Sequence, residues 1–422
     1  MRSVIELLLA IVATIVVLLL IGLFLPGGGH GHVQRSIIIE RPSSHIFDIL
    51  NSYNRFNEWS PWKKKDLDAS YSFEGPEFGQ GAAMTYAGNE EVGAGRYEII
   101  ESTPTSMVKM IQRVEGGRTG TVNFDIGTSD LGVKVTWSYD VELGGNPIER
   151  IKGKYLDSAI GGDYQYGLMR LKALVESSAY ARDYSDIAIT KQNLVAAPAL
   201  KQSGLVEVYG SGEVPDLNAG VADTLAKLNA FATRNKLNVI GAAQVVVTLR
   251  ERYRVGFDVV LPVDNNEVPM RDDIQAAQSL EGEVLVAEHI GERRKSNVTF
   301  EKMQAYATVY GMAFAPRAKA VEEFLPDREA PKAATEGEAA ATTEATATPA
   351  ADIAATPLAS DSAELFPVDP SAPAVEVVMI EATRVFLKLG VPPVDPLAPV
   401  DPLAPVAPEA TPSDAAAAPT GG

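Results

Sequence analysis

The sequence predicts an α+β protein with an apolar amino-terminal helix, two folded modules in series and a low-complexity carboxy-terminal region. Three observations predict it. Residues 4–25 are apolar except for Glu6 and Thr14. Between 33 and 178, short β-type segments separated by turns lead into one long stretch with helical periodicity. Between 186 and 327, strand–helix–strand order occurs twice, so this module reads as two similar halves related by a pseudo-twofold.

Composition bounds the function. The 422 residues allow two or three domains at about 100–200 residues each. The absence of cysteine excludes disulfides, thiolate metal sites and a cysteine nucleophile. The formal charge of −18 is concentrated at the end: residues 326–422 hold 15 Asp/Glu against 4 Lys/Arg, and 16 of the 27 prolines. No basic stripe is present, which argues against nucleic acid as a direct ligand.

The first 26 residues are expected to be a single-pass membrane anchor. Twenty-two residues at about 1.5 Å rise span roughly 33 Å, enough for a bilayer core. Glu6 lies one turn in, where its carboxylate reaches the interface and favours the positive end of the helix. A cleaved signal peptide is the competing reading. The apolar run is long for one, and Pro26-Gly27-Gly28-Gly29 follows it without an A-x-A cleavage pattern. Arg2 on one side and Arg35 and Arg41 on the other leave the positive-inside count undecided. The short amino-terminal flank favours a soluble part outside the cytoplasm.

In the first module (33–178), VQRSIIIERP begins as a β-rich run ending at Pro42, and Pro42-Ser43-Ser44 opens a short helix. ASYSFEG, GAAMTYAG, GAGRYEIIES, SMVKMIQRV, GTVNFDI and VKVTWSYDV follow as strands; Val133, Val135, Trp137 and Tyr139 alternate with period two. A helical pattern over 148–176 closes the module with Ile151, Tyr155, Ile160, Tyr164, Leu168, Leu171 and Val175. With NEWSPW, MTYAGNEEVGAGRYEIIES and GGDYQYGLMRLKALVE in the same order, the module resembles the SRPBCC, or polyketide cyclase/START-like, superfamily. The resemblance implies a helix-grip fold, whose curved sheet wraps the last helix around an apolar cavity. It implies no single chemistry. Candidate cavity residues are Trp59, Trp62, Tyr86, Tyr97, Met110, Phe124, Trp137, Tyr155, Tyr164 and Met169, with a structural core as the alternative reading of each. The WSPW turn is expected to plug the cavity mouth. Lys63-Lys64-Lys65 is either a solvated loop or a contact for anionic headgroups.

The second module (186–327) reads as IAITKQNLVAAPALKQSG, LVEVYGSG, a helix over 216–235, and strands VIGAAQVVVTL and RVGFDVVLPV. Its second half repeats this with DIQAAQSLEG, EVLVAEHIG, a helix over 296–310 and AVEEFLPD. That half lacks a counterpart of RVGFDVVLPV, which VEVVMIEATRVFLKL at 375–389 supplies. Residues 328–374 are therefore expected to be a disordered insertion, tolerable because each doubling of loop length costs only about 0.6 kcal/mol. VAEHIGERRKSNVTFEKMQAYATVYGM and GFDVVLPV make the module resemble the gyrase-inhibitor-like, or effector-binding, domain. That family holds apolar, often cationic, molecules in a cleft between its halves, beside an acidic residue. Glu322 matches that position; Phe324 stands where the family often has tyrosine and Val321 where it often has tryptophan. The alternative reading leaves Glu322 and Glu323 straddling the strand, one of them merely facing solvent.

The Pro-rich tail (390–422) contains PVDPLA twice and is expected to be disordered and extended, either a passive segment or a docking peptide for a protein partner. H-E-x-x-H, G-x-S-x-G, P-loop and G-x-G-x-x-G motifs are absent. His30-Gly31-His32 is an H-x-H pair in a glycine linker, and two ligands without a third make a poor metal site. No catalytic residue, metal or cofactor is assigned. The expected function is a membrane-anchored, non-catalytic binding protein for an apolar or cationic small molecule or a lipid. Two alternatives stay open: a cyclase or hydrolase using either pocket, and an adaptor recruiting a protein through its tail.

Overall fold

The computed structural model describes residues 2–24, 29–144, 146–208, 215–271, 273–315, 317–329 and 379–390. Most of the expected insertion and all of the tail beyond Gly390 lie outside the described residues, as does any protein-docking role for the tail.

Helix α1 (Arg2–Phe24) runs beside the long helix of the first module. The expected membrane-spanning helix is not supported: among the described residues, no helix is long and apolar enough to cross a membrane.

The first module is a seven-stranded antiparallel sheet. Its strands are β1 (His30–Ile39), β2 (Ser70–Glu74), β3 (Ala83–Ala87), β4 (Ala94–Thr103), β5 (Met107–Val114), β6 (Thr119–Ser129) and β7 (Gly132–Glu142), in the order β1-β7-β6-β5-β4-β3-β2. Between β1 and β2 come the short helices α2 (Ser43–Leu50), α3 (Phe56–Trp59) and α4 (Trp62–Lys65). Helix α5 (Pro147–Glu176) packs against β1. Asn146 caps it, its side chain accepting from the Glu149 N–H at 3.0 Å, and Pro147 occupies the first turn, where its missing N–H costs nothing. Val133, Val135, Trp137, Tyr139 and Val141 alternate inward along β7, as period two requires. Strand β1 starts earlier than the expected linker boundary: His30 already pairs with Glu142 and His32 with Asp140. The H-x-H pair is therefore part of the sheet.

The second module is an eight-stranded antiparallel sheet with two helices. Its strands are β8 (Ile189–Leu194), β9 (Pro198–Glu207), β10 (Gln244–Arg250), β11 (Arg254–Pro262), β12 (Gln275–Gln278), β13 (Gly282–Ile290), β14 (Val321–Glu329) and β15 (Met379–Lys388). Helix α6 (Leu217–Arg234) follows β9, and α7 (Ser296–Val309) follows β13. The strand order β12-β9-β11-β10-β14-β15-β13-β8 contains two equivalent triplets that meet where Gln244 and Val245 pair with Glu323 and Glu322. The leading strand of each half sits on the outer edge of the other: β8 on β13, and β12 on β9. Strand β15 lies between β14 and β13, and β14 runs on to Glu329, two residues into the segment expected to be an insertion.

The modules are packed together. Ala305 and Val309 of α7 join the core of the first module, with Tyr306 and Tyr310 beside them. The Arg55 guanidinium donates to the carbonyls of Thr308 and Val309 at 2.9 and 3.0 Å.

Candidate functional site

Two places concentrate polar groups inside apolar surroundings. The first is the aromatic interior between the sheet and α5. Trp59, at the end of α3, meets Phe124 and Trp137 with ring centroids 5.9 and 5.6 Å apart; Trp137 lies 4.0 Å from Tyr164 of α5. Tyr86 and Tyr97 form a second pair at 5.5 Å, joined to the first through Phe56. The structure thus brings together Trp59, Tyr86, Tyr97, Phe124, Trp137 and Tyr164, all nearly buried, together with the buried Met110. Trp59 lies at the centre of this group, so it fills the interior where a plug at the mouth was expected. Trp62, half-buried, packs on the periphery.

Tyr155 and Met169 do not join them. At 3.6 residues per turn they lie about 180° and 140° around α5 from Tyr164, and they are 62% and 56% exposed. Lys63-Lys64-Lys65 is engaged locally: Lys65 pairs with Glu91 and Asp163 at 3.0 and 2.8 Å, and Lys64 sits over Tyr166.

The chemistry of this interior is that of hydrogen-bond donors in an apolar medium. The indole N–H groups of Trp59, Trp62 and Trp137 are buried without a protein acceptor. Such a donor forfeits its bond to water, roughly 1–3 kcal/mol each, unless something supplies an acceptor. The Tyr86 hydroxyl accepts from Gln112 at 3.0 Å, and burial holds the Tyr97 and Tyr164 hydroxyls well above the usual tyrosine range.

Sequence reasoning missed Asp48, a half-buried carboxyl at the edge of this core. Tyr184 donates to it at 2.8 Å, and burial raises its pKa above the ordinary aspartate value against the opposing hydrogen bonds from Tyr184 and Tyr310. Its signal was its place inside SSHIFDIL, among Ile46, Phe47, Ile49 and Leu50.

The second place lies at the junction of the two halves. Glu322 on β14 is 3% exposed. Ser296, at the start of α7, donates to its Oε1 at 2.6 Å, while Oε2 has no partner. Burial raises its pKa above the ordinary glutamate value; the Ser296 hydrogen bond and then Arg250 and Arg293 act the other way. The carboxyl borders a cavity of about 280 Å³ with Val247, Leu249, Arg250, Asn297 and Phe300. Phe324 shares its face of β14 and is half-buried, with the Arg293 guanidinium 4.9 Å above its ring. Glu323 points to the opposite face and pairs with Arg384 at 2.8 Å. A larger opening of about 420 Å³, lined by Asp216, Asn218, Arg252, Arg293 and Glu381, shares Arg250 with that cavity. Glu381, also missed from sequence, ties the opening together: it accepts from the Arg293 backbone N–H and the Asn218 amide, both at 2.7 Å.

Residues 30–176 match the family described as polyketide cyclase / dehydrase and lipid transport. This stretch carries an SRPBCC-like domain. The match starts within β1 and ends with α5, agreeing with the sheet-and-helix module described above. Among solved structures, the chain is similar to protein CV1439 from Chromobacterium violaceum (11% identity, 35% of this chain and 98% of that one, TM-score 0.27). It is also similar to SA2116 from Staphylococcus aureus, a protein of unknown function (9%, 35% and 94%, 0.29), and to MLL2253 from Mesorhizobium loti (12%, 35% and 98%, 0.26). No curated protein matches the chain in sequence.

Proposed function

We propose that the protein is a non-catalytic binding protein for hydrophobic or amphipathic small molecules or lipids, held at a membrane by α1. The observation that carries the ligand class is Glu322. A carboxyl so deeply buried, with one oxygen unpartnered at the wall of a partly apolar cavity, is costly unless a ligand completes it. A lipophilic cation fits that wall, in keeping with the resemblance of this module to effector-binding domains. The unpartnered indole donors of the SRPBCC-like domain would suit a ligand bearing acceptor oxygens, in keeping with the lipid transport in its family's description.

Membrane attachment rests on the surface of α1. Leu7, Leu9, Val12 and Val17 point in four different directions around the helix and are 53–64% exposed. A helix apolar all round needs an apolar cover, and a bilayer supplies one. The soluble modules are read as lying outside the cytoplasm.

Binding of tetraphenylphosphonium to the purified full chain in detergent tests the ligand class. Saturable binding that weakens at least tenfold in Glu322→Gln is expected; equal affinity in the two proteins, or no binding to either, would sink it. Sodium carbonate washing of membranes tests the anchor. The full chain should stay with the pellet and a chain lacking residues 2–24 should not. Release of the full chain would remove the membrane from the proposal, and protease protection of the modules in intact cells would reverse their side.

A further inference from the structure

We propose that His30, His32 and Asp140, with Glu142 orienting His30, form a binding site for a divalent first-row transition metal ion, with Zn²⁺ as its natural occupant. The sequence alone offers two histidines. The fold adds Asp140 as a third ligand, because His32 pairs with Asp140 across the β1–β7 ladder, and it sets Glu142 beside His30, on the other ring nitrogen, where it orients that imidazole. Residues two apart on a strand share a face, and cross-strand partners lie side by side, so all four side chains project from one patch on the face away from α5. Gly31, between the histidines, faces the helix: a Cβ there would come 2.7 Å from the Leu156 side chain, so β1 is pressed onto α5 and the H-x-H spacing is held by packing.

The side chains already converge. Asp140 Oδ1 is the focus, 2.7 Å from His32 Nδ1 and 3.2 Å from His30 Nε2, while His30 Nδ1 lies 2.9 Å from Glu142 Oε1. One ligating atom from each of His30, His32 and Asp140 can be chosen so that all three lie within 4.8 Å of one another. A tetrahedral ion with bonds of about 2.0–2.2 Å spaces its ligands roughly 3.3–3.6 Å apart, so the present pairs need only a small rotamer opening. Two imidazoles with carboxylates suit zinc, copper or nickel better than magnesium or calcium, which prefer oxygen. The side chains are 41–78% exposed, so an ion has an open path. That exposure also places the affinity in the micromolar range of surface sites. A bound ion would clamp the start of β1 to the interior strand β7.

The experiment is isothermal titration of ZnCl₂ into the untagged full chain in detergent after chelator treatment, with Co²⁺ absorption as a second readout. One equivalent of Zn²⁺ at micromolar affinity and tetrahedral-type Co²⁺ bands displaced by Zn²⁺ are expected. His32→Gln and Asp140→Asn should each weaken binding at least tenfold with unchanged far-ultraviolet circular dichroism. His289→Gln should leave it unchanged, since His289 is held by Thr299 and the Glu292 carbonyl. No saturable binding up to millimolar Zn²⁺, or binding that survives in either of the first two variants, overturns the site.

Discussion

Glu322 sets burial against charge within a few ångströms. Its neighbours Ser296, Arg250 and Arg293 favour the carboxylate, and the loss of water favours the acid. The balance raises its pKa, so the protonated form persists above the pH at which an ordinary glutamate ionises. The sign for ligand binding follows: a cation needs the carboxylate, so tetraphenylphosphonium affinity should fall as pH drops through the raised pKa. In Glu322→Gln that pH dependence should disappear. The sign for stability is opposite. A group whose pKa is higher folded than unfolded binds more protons in the native state, so its contribution to stability declines as pH rises from the ordinary value to the raised one. Asp48 has the same sign, and the two groups add.

At the scale of elements, α5 shows why a helix can carry glycines at a cost. Gly153 and Gly167 are each worth about 1 kcal/mol less than alanine in helix propensity. The structure gives the compensation: a Cβ on Gly153 would lie 2.7 Å from the His30 carbonyl oxygen, and one on Gly167 would lie 2.8 Å from the Trp137 ring. The obstacle at Gly153 is backbone of a strand bonded along its length to β7, so it cannot swing aside as a flexible side chain would. Gly153→Ala should therefore destabilise the first module by a net ~1–2 kcal/mol despite the better helix former. Urea unfolding of the full chain, followed by tryptophan fluorescence, reads this directly; an unchanged or higher midpoint would mean that α5 and β1 lie further apart.

At the scale of the molecule, α7 belongs to both modules. Its first residue, Ser296, holds Glu322, and its last turn packs against the SRPBCC-like domain through Tyr306 and Tyr310, whose rings lie 4.4 Å apart. Tyr310 also meets Phe78 edge-on, and the ion pairs Arg182–Glu301 and Lys302–Asp186 flank the contact. All three tryptophans lie in the first module, whereas circular dichroism reports both modules. In the natural protein the two signals should unfold together; in the Arg55→Ala, Tyr310→Ala double variant the transitions should separate. Coincident transitions in the variant would show that this contact does not couple the modules.

What could be read from the sequence was whatever depends on local periodicity. The alternation along β7, the span of α5 and the aromatic composition of the first core were legible because inward-facing residues recur at the period of their own element. The resemblance to the SRPBCC superfamily was legible for a related reason, since its segments fall in order along one stretch. Tyr155 and Met169 were misjudged because being aromatic or apolar does not say which side of a 30-residue helix meets the sheet. The expected membrane-spanning helix was read from hydropathy and length, and among the described residues no helix is long and apolar enough to cross a membrane. Tertiary structure alone decided the rest: that the H-x-H pair belongs to a strand and meets Asp140 and Glu142, that Ser296 reaches Glu322, and that Tyr184 and Tyr310 hydrogen-bond Asp48. These are contacts between residues some 26 to 262 positions apart, and no local pattern encodes which distant strand or helix supplies a partner.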